Sequence, residues 1–282
     1  MTRSLGIVVP AFRPDVERLG RYVRAIDDRL APETLRIELD DPDQAVVDAL
    51  ADLPATVNAV ARRRGKGAAI TAGFDALSTD VLAFADADGA TPAESLSAVV
   101  TPVLDDDADL SVGSRRHPES DVGGHQGVVR RFLGDGFAWL ARRMLDAQLY
   151  DYQCGAKALS AEFWEAVRGE IYEPGFAWDI ELVALVAAHG GRVREVPISW
   201  EDQPGSTVDP VADTLRMFRG LAVARHRARA VQGSTIHRAL REAVEEDVAS
   251  VSDRVASDSA ASNSVSSDSV TSDTEPGSGG SD

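Results

Sequence analysis

Two aspartates one residue apart, Asp86 and Asp88, directly follow the apolar run Val81-Leu82-Ala83-Phe84-Ala85. Carboxylates at that spacing are hard oxygen ligands. Mg2+ or Mn2+ takes one or two of them while phosphate oxygens and waters complete the shell. Asp-Ala-Asp-Gly is also a good turn sequence, and in isolation the turn would be the first choice. A second polar block, Arg64-Gly65-Lys66-Gly67, shifts the balance, because it offers cations and small residues at an expected helix N-terminus, a setting that suits phosphate. That block lacks Walker A spacing, and no G-x-G-x-x-G follows the first apolar run, where Pro10-Ala11-Phe12 stands instead. P-loop ATPases, dinucleotide enzymes and nucleotidyltransferases with a Gly-rich first loop are disfavoured. A divalent cation beside a phosphate-bearing ligand is the chemistry these residues favour.

Such residues need a scaffold that carries them to one place. Short apolar runs alternate with helical stretches through the first half, the signature of βα units on a parallel sheet in an α/β protein. Strands are expected at Leu5–Pro10, Leu35–Leu39, Val57–Val60, Val81–Ala85 and Leu110–Gly113. Helices are expected at Asp15–Leu30, with Leu19, Tyr22, Val23 and Ile26 on one face, at Gln44–Leu53 and at Lys66–Leu77. Thr91-Pro92-Ala93-Glu94 has the spacing of a capping box opening a further helix. Ligands of parallel sheets bind beyond the carboxyl ends of the strands. The loops holding Pro10 to Asp15, Asp40-Asp41, Arg62 to Gly67 and Asp86 to Ala90 are expected to meet on that edge.

The second half changes character. Segments 127–149 and 210–231 interleave apolar residues with arginines, Arg130, Arg131, Arg142 and Arg143 in the first and Arg216, Arg219, Arg225, Arg227 and Arg229 in the second. Basic apolar helices lie on anionic membrane surfaces. Packing on the core with arginines in water accounts for the pattern equally well.

The 282 residues carry Lys+Arg 29 against Asp+Glu 46, a net charge of −17 that argues against nucleic acid as a partner. Only two of the basic residues, Lys66 and Lys157, are lysine. An acidic, lysine-poor surface suits a cytosol at molar salt, where charges beyond roughly 3 Å are screened, and points to a halophilic source. The single Cys154 excludes an internal disulfide. No apolar run approaches the ~18 residues of a membrane span and no signal-peptide pattern opens the chain, so a cytoplasmic protein, soluble or peripheral on the membrane, is expected. Residues 1–232 are expected to form the folded domain, 233–247 a C-terminal helix, and 248–282 a disordered Ser/Asp-rich tail.

The blocks VVPAFRPD, LDD, RRGKGAA, FADADGATP, VGSRRH, YQCGAKALS, FAWDIELV and VPISWEDQPGSTVDP, in this order over roughly residues 5 to 230, resemble family-2 glycosyltransferases of the GT-A fold. They are most similar to the branch that makes polyprenyl-phosphate sugars, the dolichyl-phosphate β-glucosyltransferases and dolichol-phosphate mannosyltransferases. The resemblance implies a mostly parallel sheet with flanking helices, a nucleotide-sugar donor, a polyprenyl (dolichyl) phosphate acceptor at the membrane surface, and Mg2+ or Mn2+. It places Asp15 and Asp40 at the base and ribose, Pro10 among the substrate-binding residues, Asp86 at ribose or metal, and Asp88 on the metal. Arg64 and Lys66 would seat the nucleotide or its phosphates. Arg115 and Arg131 would hold the acceptor phosphate, with Arg116 and Arg130 as substitutes. Gln153, Lys157, Asp179 and Glu181 would line the sugar pocket, and Ser206 would close over the donor.

The chain departs from the family pattern in places. Phe12-Arg13-Pro14-Asp15 stands where Tyr-Asn-Glu is usual, Pro42-Asp43 where Gly-Ser follows the aspartates, and Ser206-Thr207 where Ser-Lys is common. Ala90 occupies the place of a Gln in mannosyl relatives, which leans toward glucose and UDP. A family-2 enzyme using GDP-mannose, or a soluble or glycan acceptor, is the alternative.

Overall fold

The computed structural model describes residues 3–123, 128–201, 210–234 and 249–258, with side chains outside 128–134 and 210–216. The chain runs β1 (Leu5–Phe12), α1 (Val16–Leu30), β2 (Thr34–Asp40), α2 (Gln44–Leu50), β3 (Thr56–Val60), α3 (Lys66–Asp75), β4 (Val81–Ala85), α4 (Ala93–Leu104) and β5 (Leu110–Ser114). It continues through β6 (Asp121–Gly123), α5 (Val128–Met144), β7 (Ala156–Ser160), α6 (Ala161–Val167), α7 (Trp178–Ala188), β8 (Val193–Pro197), β9 (Ser199–Glu201) and α8 (Pro210–Val231). A last helix, α9, covers 251–258.

The main sheet has seven strands in the order β3-β2-β1-β4-β7-β5-β8. All neighbours are parallel except β7, which lies antiparallel between β4 and β5. The central strands are buried on both faces, so they read as continuous apolar runs rather than alternating ones. β7, with the sequence AKALS, is equally buried but too short and alanine-rich to announce itself as a strand. Its register sets Ala156 opposite Ala85 and Lys157 opposite Phe84. Asp86 N–H then donates to Gly155 O at 2.9 Å, which joins two sequence blocks 69 residues apart at the carboxyl edge of β4.

Helix α1 is amphipathic and capped by Asp15, whose side chain accepts from Arg18 N–H. The capping box expected at Thr91 is not formed. Pro92 holds the cap position with no side-chain bond, and Glu94 turns outward to pair with Arg29. Helix α7 is buried at every residue from Trp178 to Val186, two acids included, and packs between the sheet, α3 and α8. Trp164, Trp178, Phe74 and Phe84 stack edge to face beneath it. Trp139 is 55% exposed on α5.

Order extends past the boundary expected at 248. Val251 is buried and donates its N–H to Ile171 O, Ser252 bonds Asp75, Arg254 reaches Tyr172 O, and Arg62 pairs with Asp258. The low-complexity composition hid one apolar anchor, Val251, and a docking face on the 171–172 loop. The segment 259–282 and most of the expected helix 233–247 lie outside the described residues. Among the described residues, no helix is long and apolar enough to cross a membrane.

Candidate active site

The loops after β1, β2, β3 and β4 open on one edge of the sheet. Asp40, the last residue of β2, is buried, and its Oδ2 accepts from Arg64 N–H at 2.7 Å and Gly65 N–H at 3.1 Å. Its Oδ1 accepts from Arg64 Nε at 2.7 Å. Asp40 therefore shapes the Arg-Gly-Lys-Gly loop, and beneath it Glu38 pairs with Arg36 and Arg64. Pro10, buried in β1, lies in register with Glu38. The Arg63 guanidinium sits 4.2 Å from the Phe12 ring centroid, with Arg13 5.1 Å away, so Phe12 carries a pair of cations at this end. The stacking partner Arg63 was missed in the sequence, where it reads as one of three consecutive arginines.

The centre of the site is a line of alternating charges. Lys66 Nζ lies 2.9 Å from Asp86 Oδ1 and 3.3 Å from Asp179 Oδ2. Lys157 Nζ donates to Asp179 Oδ1 at 2.7 Å and to Cys154 O at 2.8 Å. The only two lysines of the chain thus hold the same carboxylate, and both ammonium groups stand over the Phe84 ring, at 5.3 and 5.6 Å from its centroid. Burial works against a charged Asp179, but Lys157 and then Lys66 outweigh it and hold the carboxyl below its usual range. Burial likewise works against a charged Lys66, and Asp179 and Asp86 overcome it, so that the ammonium is held above its usual range. Asp179 is locked as a carboxylate with both oxygens engaged, which makes it a poor proton acceptor.

Asp88 differs. Burial first, and the neighbouring Asp86 charge second, raise its carboxyl pKa, against an N–H from Ala90 at 2.9 Å and the charges of Lys66 and Arg18. Three carboxylates around two ammonium groups leave an excess negative charge at this edge. No group of three or more His, Cys, Asp or Glu side chains able to hold a metal occurs among the described residues. The protein's share is at most the two carboxylates of Asp86 and Asp88, which fits a hard cation that takes its remaining ligands from a bound phosphate and water. The fit is close on one side: a Cβ placed on Gly155 would overlap the Asp86 carboxylate, so glycine there is what lets the acid lie against β7.

Other expected site residues are placed elsewhere. Asp15 is engaged as the α1 cap. Arg115 is bidentate on the buried Asp151, at 2.7 and 3.0 Å, and its own N–H adds a third bond at 3.2 Å. Burial opposes both charges, yet the pair's mutual attraction lifts the guanidinium above and drops the carboxyl below their usual ranges. Arg116 pairs with Asp135 at 2.7 Å. The Gln153 amide nitrogen lies 2.7 Å from Met217 Sδ on α8. Glu181 is not brought into the cluster: two positions beyond Asp179, it faces the other side of α7, where it accepts from Tyr172 N–H at 3.1 Å and Glu173 N–H at 2.8 Å and pairs with Arg227 of α8. The side chains of Arg130 and Arg131, on α5, and all of Ser206 lie outside the described residues. Cys154 is fully buried, and burial pushes its thiol up to about 12, which suits a small core residue rather than a nucleophile.

Comparison with known proteins identifies the family and the fold. Glycosyltransferase AglD of Haloferax volcanii is 35% identical over 157 residues, which cover 55% of this chain and 24% of that protein. The dolichyl-phosphate beta-glucosyltransferase of Mus musculus is 28% identical over 171 residues, 59% of this chain and 53% of the mouse protein. The chain thus spans about half the length of the mouse relative and a quarter of the archaeal one. Among solved structures, glucosyl-3-phosphoglycerate synthase of Mycobacterium tuberculosis, in complex with Mn2+, UDP and glucosyl-3-phosphoglycerate, superposes with a TM-score of 0.61 at 17% identity over 79% of this chain and 80% of that one. Mannosyl-3-phosphoglycerate synthase of Rubrobacter xylanophilus gives 0.61 at 20% identity over 85% and 74%. These neighbours share the GT-A fold. The glycosyl transferase family 2 model matches residues 7–163, more than half of the chain, from within β1 past β7, and the protein belongs to that family.

Proposed function

We propose that the protein is an inverting hexosyltransferase that moves a sugar, glucose from UDP-glucose in the favoured reading, to a polyprenyl phosphate at a membrane surface. The observation that carries this reading is the convergence of Asp86, Asp88, Lys66, Lys157 and Asp179 at the strand edge where the Asp40–Arg64 loop also ends. Asp88 and Asp86 are the residues that would hold Mg2+ or Mn2+, which when bound supplies Lewis-acid stabilisation of the departing diphosphate. Lys66 stands between them and Asp179, placed to balance diphosphate charge. Lys157, wholly buried, fixes Asp179 and through it Lys66.

A phosphate monoester has a second pKa of about 6, so the acceptor is already an anionic nucleophile at neutral pH. Its oxygen forms a bond to the anomeric carbon as the carbon–oxygen bond to the diphosphate breaks and the electron pair leaves with it. No proton has to move, which agrees with an Asp179 that is held ionised. An α-linked donor then yields a β-linked product. What the chain must supply is position and charge.

Support for the lipid acceptor comes from α5 and α8. Trp139 lies exposed with the Arg143 guanidinium 5.3 Å from its ring, and Phe218, also exposed, meets Phe137 at 5.7 Å across the two helices. Aromatic and cationic groups presented together fit a headgroup interface. The relatives named for dolichyl phosphate, and Ala90 in place of the mannosyl Gln, favour the lipid and glucose respectively. A cytoplasmic membrane face and a glycosylation role in a halophilic archaeon complete the reading; the acidic lysine-poor composition and the similarity to a Haloferax protein favour that source. A soluble or glycan acceptor is the second reading, favoured by the pairing of Arg115 with Asp151, which draws that guanidinium away from an acceptor phosphate.

Incubation with labelled UDP-glucose, Mn2+ and polyprenyl phosphate, followed by solvent extraction, tests both. Label in the organic phase, abolished in Asp88→Ala, is expected. Label recovered only in a soluble product separated from UDP-glucose, with none in the organic phase when polyprenyl phosphate and a soluble acceptor are supplied together, overturns the lipid reading.

A further inference from the structure

Tyr22 lies on α1 directly beneath the Asp86–Ala90 turn. A Cβ placed at Gly89 would sit 3.5 Å from Tyr22 Cγ and 3.6 Å from Cδ2, so the turn rests on the phenol ring. The residue is 7% exposed and belongs to the same apolar cluster as Ala85, Ala93, Cys154 and Ala156. Its hydroxyl is buried and has no hydrogen-bond partner among the described residues. The charged groups that act on it are Asp86 and Asp88. A phenylalanine would fill the same space without stranding a polar atom, and orphaned buried hydroxyls are rare enough in folded proteins to need a cause. A phenol can serve carboxylates only as a donor, because an ionised carboxylate has no hydrogen to give.

We propose that Tyr22 is a positioning residue for the acidic pair: its O–H would donate to the Asp86–Asp88 carboxylates when they hold a divalent cation. The inference rests on the proposed cation role of that pair. Asp86 pairs with Lys66 and lies against Gly155, and the Tyr22 hydroxyl finds no acceptor among the described residues. Carboxylates that ligate a metal are in turn hydrogen-bonded from behind, and removing such a donor lowers metal affinity about 10–100-fold.

Tyr22→Phe removes one oxygen and no packing volume. Calorimetric titration with Mn2+, alone and in the presence of UDP, is compared for the wild type, Tyr22→Phe and Asp88→Asn, together with metal-free thermal melts. The expected result is that Tyr22→Phe binds Mn2+ about tenfold or more weakly while its metal-free form melts at or above the wild-type temperature. A purely structural hydroxyl would move the two readouts together, so a lower metal-free melting temperature overturns the inference. Unchanged Mn2+ affinity in Tyr22→Phe, with Asp88→Asn impaired, overturns it too and leaves the cation role standing. Failure of the wild type to bind Mn2+ in either condition, or binding unaffected by Asp88→Asn, removes the cation role and the inference with it.

Discussion

Replacing Lys157 by methionine keeps the length of the side chain and deletes the buried ammonium that holds Asp179 at 2.7 Å. Asp179 would be left with Lys66 alone, at 3.3 Å, inside a helix buried at every neighbouring residue. Breaking a buried ion pair from one side costs about 3–5 kcal/mol. The second lysine keeps the loss near the lower end, about 3 kcal/mol, which for a domain of this size is a fall in melting temperature of roughly 6–12 °C. The pH dependence has a definite sign. The folded-state pKa of Asp179 lies below its ordinary value, so the stability it contributes is fully present above the unfolded carboxylate pKa, about 3.9, and is lost as pH falls through the folded one. In Lys157→Met that carboxyl rises, so the deficit should be largest near pH 7 and narrow as pH falls toward 4. Denaturant titration of both proteins across this range measures it. The double variant Lys157→Met/Asp179→Asn should recover most of the stability while glycosyl transfer stays lost, since the stranded charge is gone but the fixed Lys66 is not restored. A Lys157→Met protein that unfolds with the wild type, or a deficit that does not change with pH, would refute the account of the two-lysine clamp.

Three further outcomes follow from the same geometry. Gly155→Ala puts a methyl where the Asp86 carboxylate lies, so it should abolish Mn2+ binding by calorimetry and transfer by the extraction assay, with a melting temperature within a few degrees of wild type. A chain ending at 258 should melt like the full protein, whereas one ending at 248 should lose about 2 kcal/mol or more from the exposed Val251 pocket alone, measured by urea unfolding. Trp139→Ser should weaken sedimentation with anionic vesicles about tenfold or more, the effect of losing one large aromatic from an interface, and leave UDP affinity unchanged in solution.

The gathering of the strand-end residues was legible because its information is local. Each strand from β1 to β4 is an apolar run closed by a polar block, and in a parallel sheet that pattern alone brings Asp40, Arg64, Lys66, Asp86 and Asp88 to one edge. The partners of Arg115 and of the α7 acids were less so. Arg115 reads as a cation awaiting a phosphate, and only the fold reveals the buried Asp151, 36 residues on, that claims it. The acids of α7 look alike in sequence, yet a helical step of two residues turns Asp179 toward both lysines and Glu181 toward Arg227.

What the sequence determined by itself is the α/β alternation, the family motifs and the acidic, lysine-poor surface, because periodicity, turn chemistry and composition act over a few residues. What only the tertiary structure decided is who meets whom across the chain: β7 slipped antiparallel against β4, Gly155 under Asp86, Asp179 bonded to a lysine 113 positions away, and Val251 docked on Ile171. Those contacts form because burying each apolar stretch leaves one arrangement in which the stranded charges also find partners, a condition on the whole chain that no short window of residues contains.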